Sequence, residues 1–233
     1  MSAVWGFSVA PATAYARRAR LIVELIDPVT LGLVHEGLKV EVAGLQSKPA
    51  ISSSGRFVWF HERDGNPTAL RVEAGGLPYL LRGDVAVPPL PPPAPPARPV
   101  THTFMRVELG PSTAYPFDAG ITVLRGNLVR NAADEPPIAI SDAAVRLRWI
   151  DDDAPGEQWM DAPTTSFASD KGDFAVMLRL APGQIARADV QHLMRVRVAV
   201  TRAGSTRLSP EMQIPFHAIT DVQASFAWDD LQP

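Results

Sequence analysis

The sequence predicts an all-β protein made of two tandem antiparallel β-sandwich domains. Three observations support this prediction. Apolar and polar residues alternate with a period of two in many short runs, which is typical of strands with one buried face. Turn signals rich in glycine, proline, serine and aspartate separate these runs. The same order of strands and turns occurs twice along the 233 residues, which indicates an internal repeat.

The first half contains four strand signals and one turn that leads into a further strand. The runs at 38–42 and 70–74 alternate strictly between apolar and charged residues, so we expect one face of each strand in a core. The turn carries a Gly-x-Phe pattern at Gly55 and Phe57. In chain order, the four predicted strands are 21–26, 38–42, 70–74 and 101–109.

The second half repeats this order. Its Gly-x-Phe pattern lies at Gly172 and Phe174, and we expect both phenylalanines in equivalent buried positions. Helical periodicity is weak throughout, and 184–192 is the one helix candidate. In chain order, the predicted strands are 122–129, 145–149, 194–200 and 221–228.

These signals predict a first sandwich at residues 1–110, a linker at 111–120 and a second sandwich at 121–233. The linker contains two prolines, which make it stiff. We expect its aromatic residues, Tyr115 and Phe117, to pack between the two domains.

Residues 88–99 interrupt the strand pattern with eight prolines in twelve residues. Proline has no amide hydrogen to donate to a sheet, so this segment is not a central strand. We predict an extended polyproline-II stretch inside the first domain. It is either a stiff crossing between strands or a docking ligand for an aromatic groove, centred on Pro91, Pro92 and Pro93.

Composition and motifs favour a protein without catalytic activity, cofactor or metal. The chain has no cysteine, which excludes disulfides and thiol nucleophiles, and its histidines are widely separated. No local catalytic signature occurs. The net charge of −3 gives no reason to expect nucleic acid as a partner. No run reaches the roughly 18 apolar residues of a membrane helix, and the first twenty residues lack the charge order of a secretory signal.

Four arginines are candidate partner-binding residues. They fall on the outward faces of two predicted strands, which would form a basic patch if the strands are neighbours. Residues 120–233 hold eleven basic and fifteen acidic residues, so we expect acidic cross-strand partners or an acidic protein surface opposite the patch. The four residues are Arg146, Arg148, Arg195 and Arg197.

The stretch 21–42, followed by the turn and strand at 54–57, resembles the carboxypeptidase-regulatory-like domains. That family consists of transthyretin-like β-sandwiches, related in shape to immunoglobulin-like ones, which act as non-catalytic accessories. The second copy matches through Leu124–Leu128, 143–145 and the Gly-x-Phe pattern. The resemblance implies two such sandwiches without catalytic residues.

A narrower resemblance covers about forty residues. The proline-rich segment, an alternating strand, Tyr115-Pro116-Phe117 and Leu124-Arg125-Gly126 are together similar to accessory proteins encoded beside phage-tail-like contractile injection systems. This resemblance implies a structural or assembly component that binds other proteins in the cytoplasm and becomes part of a released particle.

A carbohydrate-binding or adhesive module is the alternative function. It would need a platform of exposed aromatic rings. Trp149 and Trp228 lie on apolar sides of their alternations and are expected in the core, which leaves Trp5 and Trp159 as exposed candidates.

Overall fold

The computed structural model describes residues 19–60, 65–80, 83–90, 102–141, 143–152, 156–180 and 183–233. In these ranges the protein is all-β, as predicted, and its one helical element is the short 3₁₀ turn Trp228–Asp230. Most strand pairs are antiparallel, but parallel pairs occur in both halves of the chain.

The first half builds two main sheets. Its strands are β1 (Ala19–Ile26), β2 (Lys39–Ala43), β3 (Ala50–Ile51), β4 (Phe57–Phe60), β5 (Ala69–Glu73), β6 (Tyr79–Leu80), β7 (Val85–Ala86), β8 (Thr103–Glu108) and β9 (Gly110–Pro111). One sheet has the order β3-β4-β1-β8 and the other has the order β2-β5-β7, while β6 pairs with β9.

The second half also builds two main sheets. Its strands are β10 (Thr122–Val129), β11 (Ala144–Ile150), β12 (Trp159–Asp161), β13 (Ser166–Phe167), β14 (Asp173–Leu178), β15 (Leu193–Arg202), β16 (Ser205–Leu208), β17 (Met212–Pro215), β18 (Ile219–Asp221) and β19 (Phe226–Ala227). One sheet has the order β14-β10-β18, with β19 also on β10. The other has the order β12-β11-β15-β16, with β13 on β11 and β17 on β15.

Each half has its own large hydrophobic core. The core of the first half centres on β1 and β4, where Leu21, Val23 and Trp59 are at most 1% exposed. The core of the second half centres on β11 and β15, including Leu147 and Trp149. Burying a side chain of this size contributes roughly 1.5–3 kcal/mol, so these strands provide much of the stability of each half.

The two halves pair their strands in the same order. β1 lies between β4, which is antiparallel to it, and β8, which is parallel. β10 lies in the same way between β14 on one side and β18 with β19 on the other. The second sheets also correspond, because β2 pairs with β5 as β11 pairs with β15, antiparallel in both cases.

The Gly-x-Phe turns are alike in conformation and burial. Gly55 and Gly172 have φ of 80° and 82°, a region that residues with a side chain rarely adopt. Phe57 and Phe174 follow at the same distance and are 2% and 0% exposed. The pattern therefore marks the entry into a core strand in each half.

The closing strands differ from the prediction in direction and, in the second half, in continuity. We predicted antiparallel sheets, but both closing strands run parallel to the first strand of their half. The predicted strand 221–228 is also divided into β18 and β19. Arg125 pairs with Asp221 and Leu128 with Phe226, so five steps of the closing segment match three steps of β10. The extra residues bulge out and break the strand.

The helix candidate 184–192 is not helical: its first part pairs with neighbouring strands at Ala186 and Ala188, and its last part is a turn closed by a hydrogen bond from His192 to Asp189. The amide of Arg187 donates to the carbonyl of Ile150, and the amide of Asp152 donates to the carbonyl of Ile185. These bonds prolong the pairing at the end of β11. The weak helical pattern was overridden because the segment finds backbone partners on a neighbouring strand.

Candidate partner-binding surface

The four candidate arginines share the outward face of the β11–β15 sheet. Their neighbours along each strand point inward, since Val145, Leu147, Val196 and Val198 are all fully buried. β11 and β15 are antiparallel neighbours, as the basic patch requires. The register places Arg148 directly opposite Arg197 and Arg146 opposite Ala199.

Arg195 is held by two carboxylates. Its Nη2 donates to Glu211 Oε2 at 2.8 Å, its Nε donates to Oε1 of the same residue, and its Nη1 donates to Glu157. The hydrogen bonds from Arg195 hold the pKa of Glu211 below its usual range. This arginine is therefore fully engaged within its own half.

Arg148 and Arg197 also have partners on the sheet. Arg148 Nε lies 2.7 Å from Asp161 Oδ1. The guanidinium of Arg197 lies over the ring of Trp159, 4.7 Å from its centre, in a cation–π arrangement. The acidic neighbours that we expected for the patch are thus present at Arg148 and Arg195, whereas Arg197 has an aromatic neighbour.

Arg146 differs from the other three. Its Nε and Nη2 both donate to Thr165 Oγ1, at 3.2 and 2.8 Å. Among the described residues it forms no ion pair, in contrast to Arg148 and Arg195. It lines a groove of about 580 Å³ on the outward face of the sheet, together with Arg148, Asp161 and several small or apolar residues.

A second ionic cluster lies on the β3-β4-β1-β8 sheet, and the sequence analysis did not predict it. Glu24 is 2% exposed although it carries a charge. Arg56 Nε and Nη2 lie 2.7 Å from its Oε1, and Arg106 Nη2 lies 3.0 Å from its Oε2. Burial alone would raise the pKa of Glu24, but the hydrogen bonds from the two arginines outweigh it and lower the pKa. The sequence signal that could have indicated this cluster is the glutamate within the apolar run of β1.

A buried carboxylate joins the first half to the linker. Asp27 follows β1 and is 6% exposed. Its Oδ2 accepts hydrogen bonds from Tyr79 Oη at 3.1 Å and Tyr115 Oη at 2.6 Å, and its Oδ1 accepts from the amide of Val29 at 2.8 Å. Burial and the adjacent carboxylate raise the pKa of Tyr79 to about 12 and also raise the pKa of Tyr115.

Apolar and polar contacts complete this junction. Val29 and Phe117 pack against a small buried cluster of the second half, formed by Val123, Ala175 and Met177.

Arg179 Nη1 donates to the carbonyl of Pro28 at 3.2 Å, and Ser166 Oγ donates to the carbonyl of Pro111 at 3.0 Å. The linker aromatics therefore pack where we expected them.

The remaining candidates do not form a recognisable site. Pro91, Pro92, Pro93 and Trp5 lie outside the described residues. Trp149 is in the core as predicted, whereas Trp228 is only partly buried and lies under Arg207 at 4.7 Å.

In the part of the chain that the structure describes, no three His, Asp or Glu residues come close enough to hold a metal ion. In the same part, no helix has the length and apolar character needed to span a membrane.

Comparison with known proteins assigns no family. No family model matches the chain, and no curated protein is similar to it. One solved structure, described as the Bacillus anthracis TIE protein, matches 90% of this chain and 34% of its own at 9% identity with a TM-score of 0.26. A likeness at this level carries no argument, so the class that the fold defines is an all-β protein with mixed, mainly antiparallel sheets.

Proposed function

We propose that this protein is a non-catalytic structural component that binds other proteins of a larger assembly. In this proposal, two tandem β-sandwich domains at 1–110 and 121–233 are copies of one fold of the transthyretin-like or immunoglobulin-like kind. The matching order of strand pairs and the matching Gly-x-Phe turns support the duplication.

The observation that carries the proposal is the junction at Asp27. Asp27 accepts hydrogen bonds from Tyr79 of the first half and from Tyr115 of the linker, and so holds these two segments together. Val29 adds apolar contact with the second half. A hydrogen bond to a charged group contributes about 1.5–3 kcal/mol. Together with the hydrogen bond from Arg179 of the second half to the carbonyl of Pro28, this junction resists bending between the halves. A stiff body that holds two surfaces at a constant distance suits a structural component.

The outward face of the β11–β15 sheet is the proposed contact surface. Arg146, Arg148, Arg195 and Arg197 lie there on the same face of two paired strands. Pro91, Pro92 and Pro93 are a second candidate contact, because proline-rich segments lose little entropy on docking. Both are contacts to protein partners and neither requires a cofactor.

The particular assembly is proposed from sequence similarity. The likeness of the proline-rich segment and the following motifs to accessory proteins of contractile injection systems favours a place in a phage-tail-like particle. Such a component is made in the cytoplasm and becomes part of a particle that is then released.

The proposal is tested in the native cell by tagging the chain and separating lysates on a density gradient. We expect the tagged protein to sediment with tail-like particles, identified by electron microscopy and by mass spectrometry of their subunits. A tagged protein that stays at the top of the gradient would contradict the assembly role. Reproducible turnover in hydrolase and glycosidase screens, abolished by one substitution, would contradict the non-catalytic role.

The carbohydrate-binding alternative gains no support from the described aromatics. A sugar platform needs open ring faces, and Trp159 carries Arg197 on its face while Trp228 carries Arg207. We therefore propose protein binding alone.

A further inference from the structure

We infer that the groove beside Arg146 binds a carboxylate side chain on an acidic segment of a partner protein. The inference rests on the proposed protein-binding function and names the chemistry of the partner. It singles out Arg146, which lines the groove and forms no ion pair with a described residue; Arg197 also forms none, but it lies over the ring of Trp159 and does not line the groove.

The depth of the groove comes from two alanines on the central strands. Ala144 and Ala199 point outward from β11 and β15, where Arg146, Arg148, Arg195 and Arg197 also point outward, and the short side chain of Thr201 lies opposite Ala144. Phe167 lies beside Ala144 and Leu208 lies beside Ala199, so the depression has apolar walls at both ends. An extended peptide could place one side chain over the alanines and its neighbours against these walls.

The charge of the groove favours an anionic ligand. A guanidinium has five N–H donors, and Arg146 directs those of Nε and Nη2 at one hydroxyl oxygen, that of Thr165. Its Nη1 has no described acceptor. Asp161 is the carboxylate of the groove, and it already lies against Arg148. Two guanidinium groups and one carboxylate leave a positive charge without a counterion, and guanidinium binds carboxylate with matched geometry.

An acidic peptide fits this groove better than a nucleic acid does. The excess is one positive charge, and residues 120–233 as a whole carry more acidic than basic side chains. A polyanion needs several cations along its backbone and would be repelled outside the groove. A single carboxylate flanked by uncharged residues would meet the guanidinium without that repulsion.

The test is an NMR titration of the full-length, isotope-labelled protein with a blocked hexapeptide that carries one glutamate flanked by alanines. The same peptide with glutamine in place of the glutamate is the uncharged control. We expect saturable shifts at the Arg146 side chain and at Ala199 with the glutamate peptide and no such shifts with the glutamine peptide. Arg146→Gln should weaken binding about fivefold or more, and Arg146→Lys should weaken it less. Arg187→Gln, at an exposed arginine paired with Asp152, is the matched control and should bind as the parent does.

Each other outcome overturns the inference. Absent saturation in the parent protein, or equal binding by Arg146→Gln with a parent-like spectrum, means that the groove takes no carboxylate. Equal affinity for a six-residue oligothymidylate means a general anion surface. Shifts at Arg146 that depend on protein concentration without peptide mean that a second copy occupies the groove. The density-gradient assay is independent of this titration, so failure of the groove and failure of the assembly role are distinguishable.

Discussion

Glu24 and Asn127 occupy the same position in the two halves. Each lies on the central strand of its sheet between a residue of the Gly-x-Phe strand segment and a residue of the closing segment. Glu24 is bonded to Arg56 and Arg106. Asn127 donates to Asp173 Oδ1 at 2.9 Å, and its Oδ1 accepts from Ser225 Oγ at 3.3 Å. The scaffold thus keeps a cross-strand polar triad while its charge differs between the halves.

The ionic version of this triad should make stability depend on acid. Because the folded state lowers the pKa of Glu24, its contribution is complete above the unfolded value of about 4.3 and is lost as the pH falls through the folded pKa. Urea unfolding of the parent and of Glu24→Gln should differ most above about pH 5 and converge in acid. A difference that grows as the pH falls below 4 would contradict this account.

Asp27→Asn should weaken the junction. The substitution removes the charge that both tyrosine hydroxyls meet, and we expect a loss of about 1.5–3 kcal/mol in the free energy of unfolding. Asp221→Asn, at a carboxylate 3.9 Å from Arg125 and 62% exposed, is the control and should cost much less. Equal losses in the two variants would show that the Asp27 charge stabilises the fold no more than an exposed carboxylate does.

The same junction predicts abnormal tyrosine ionisation. Tyr79 has a pKa raised to about 12, so in a Tyr15→Phe background the absorbance of tyrosinate should not rise at pH 10. A tyrosine whose folded pKa exceeds its unfolded value near 10 contributes stability below pH 10 and loses it as the pH rises towards the folded value. Asp27→Asn should move the titration to lower pH. An unchanged midpoint in that variant would contradict the role of the carboxylate.

The turn glycines allow a matched pair of substitutions. Gly172 has φ of 82°, and a Cβ there would lie 2.3 Å from the carbonyl oxygen of Leu128. Gly204 has φ of 81° with nothing within 4 Å of the added atom. Gly204→Ala should cost about 1–2 kcal/mol for its backbone conformation alone. Gly172→Ala should cost clearly more, as measured by thermal or urea unfolding, because the strand must also move away. Equal costs would mean that the close approach is unimportant.

Core truncation tests the equivalence of the halves. Phe57→Ala and Phe174→Ala each remove a ring from a core strand, and each should cost about 3–5 kcal/mol. Hydrogen exchange should show that the first variant loosens mainly residues 19–111 and the second mainly residues 121–233. Both variants loosening the whole chain equally would indicate a single cooperative core.

Local residue patterns predicted the faces of most strands, and the reason is geometric. Val40 and Val42 are buried and Lys39 and Glu41 are exposed because successive side chains of a strand point to opposite faces. The same rule placed the four arginines on the outward face. The glycines two residues before Phe57 and Phe174 could be predicted as turn residues, because a tight turn there requires positive φ.

Strand partners and the use of charges depended on tertiary structure. The parallel position of β8 beside β1 joins segments some eighty residues apart, and alternation is the same for either direction of pairing. Glu24 and Asp27 are buried because arginines and tyrosines distant in sequence contact them. The local sequence pattern alone predicts that a carboxylate is exposed. The sequence by itself determined which side chains face inward, since that follows from the period of a strand. Only the tertiary structure decided which charges are buried and which of the outward arginines pair with a carboxylate, since those depend on contacts between distant segments.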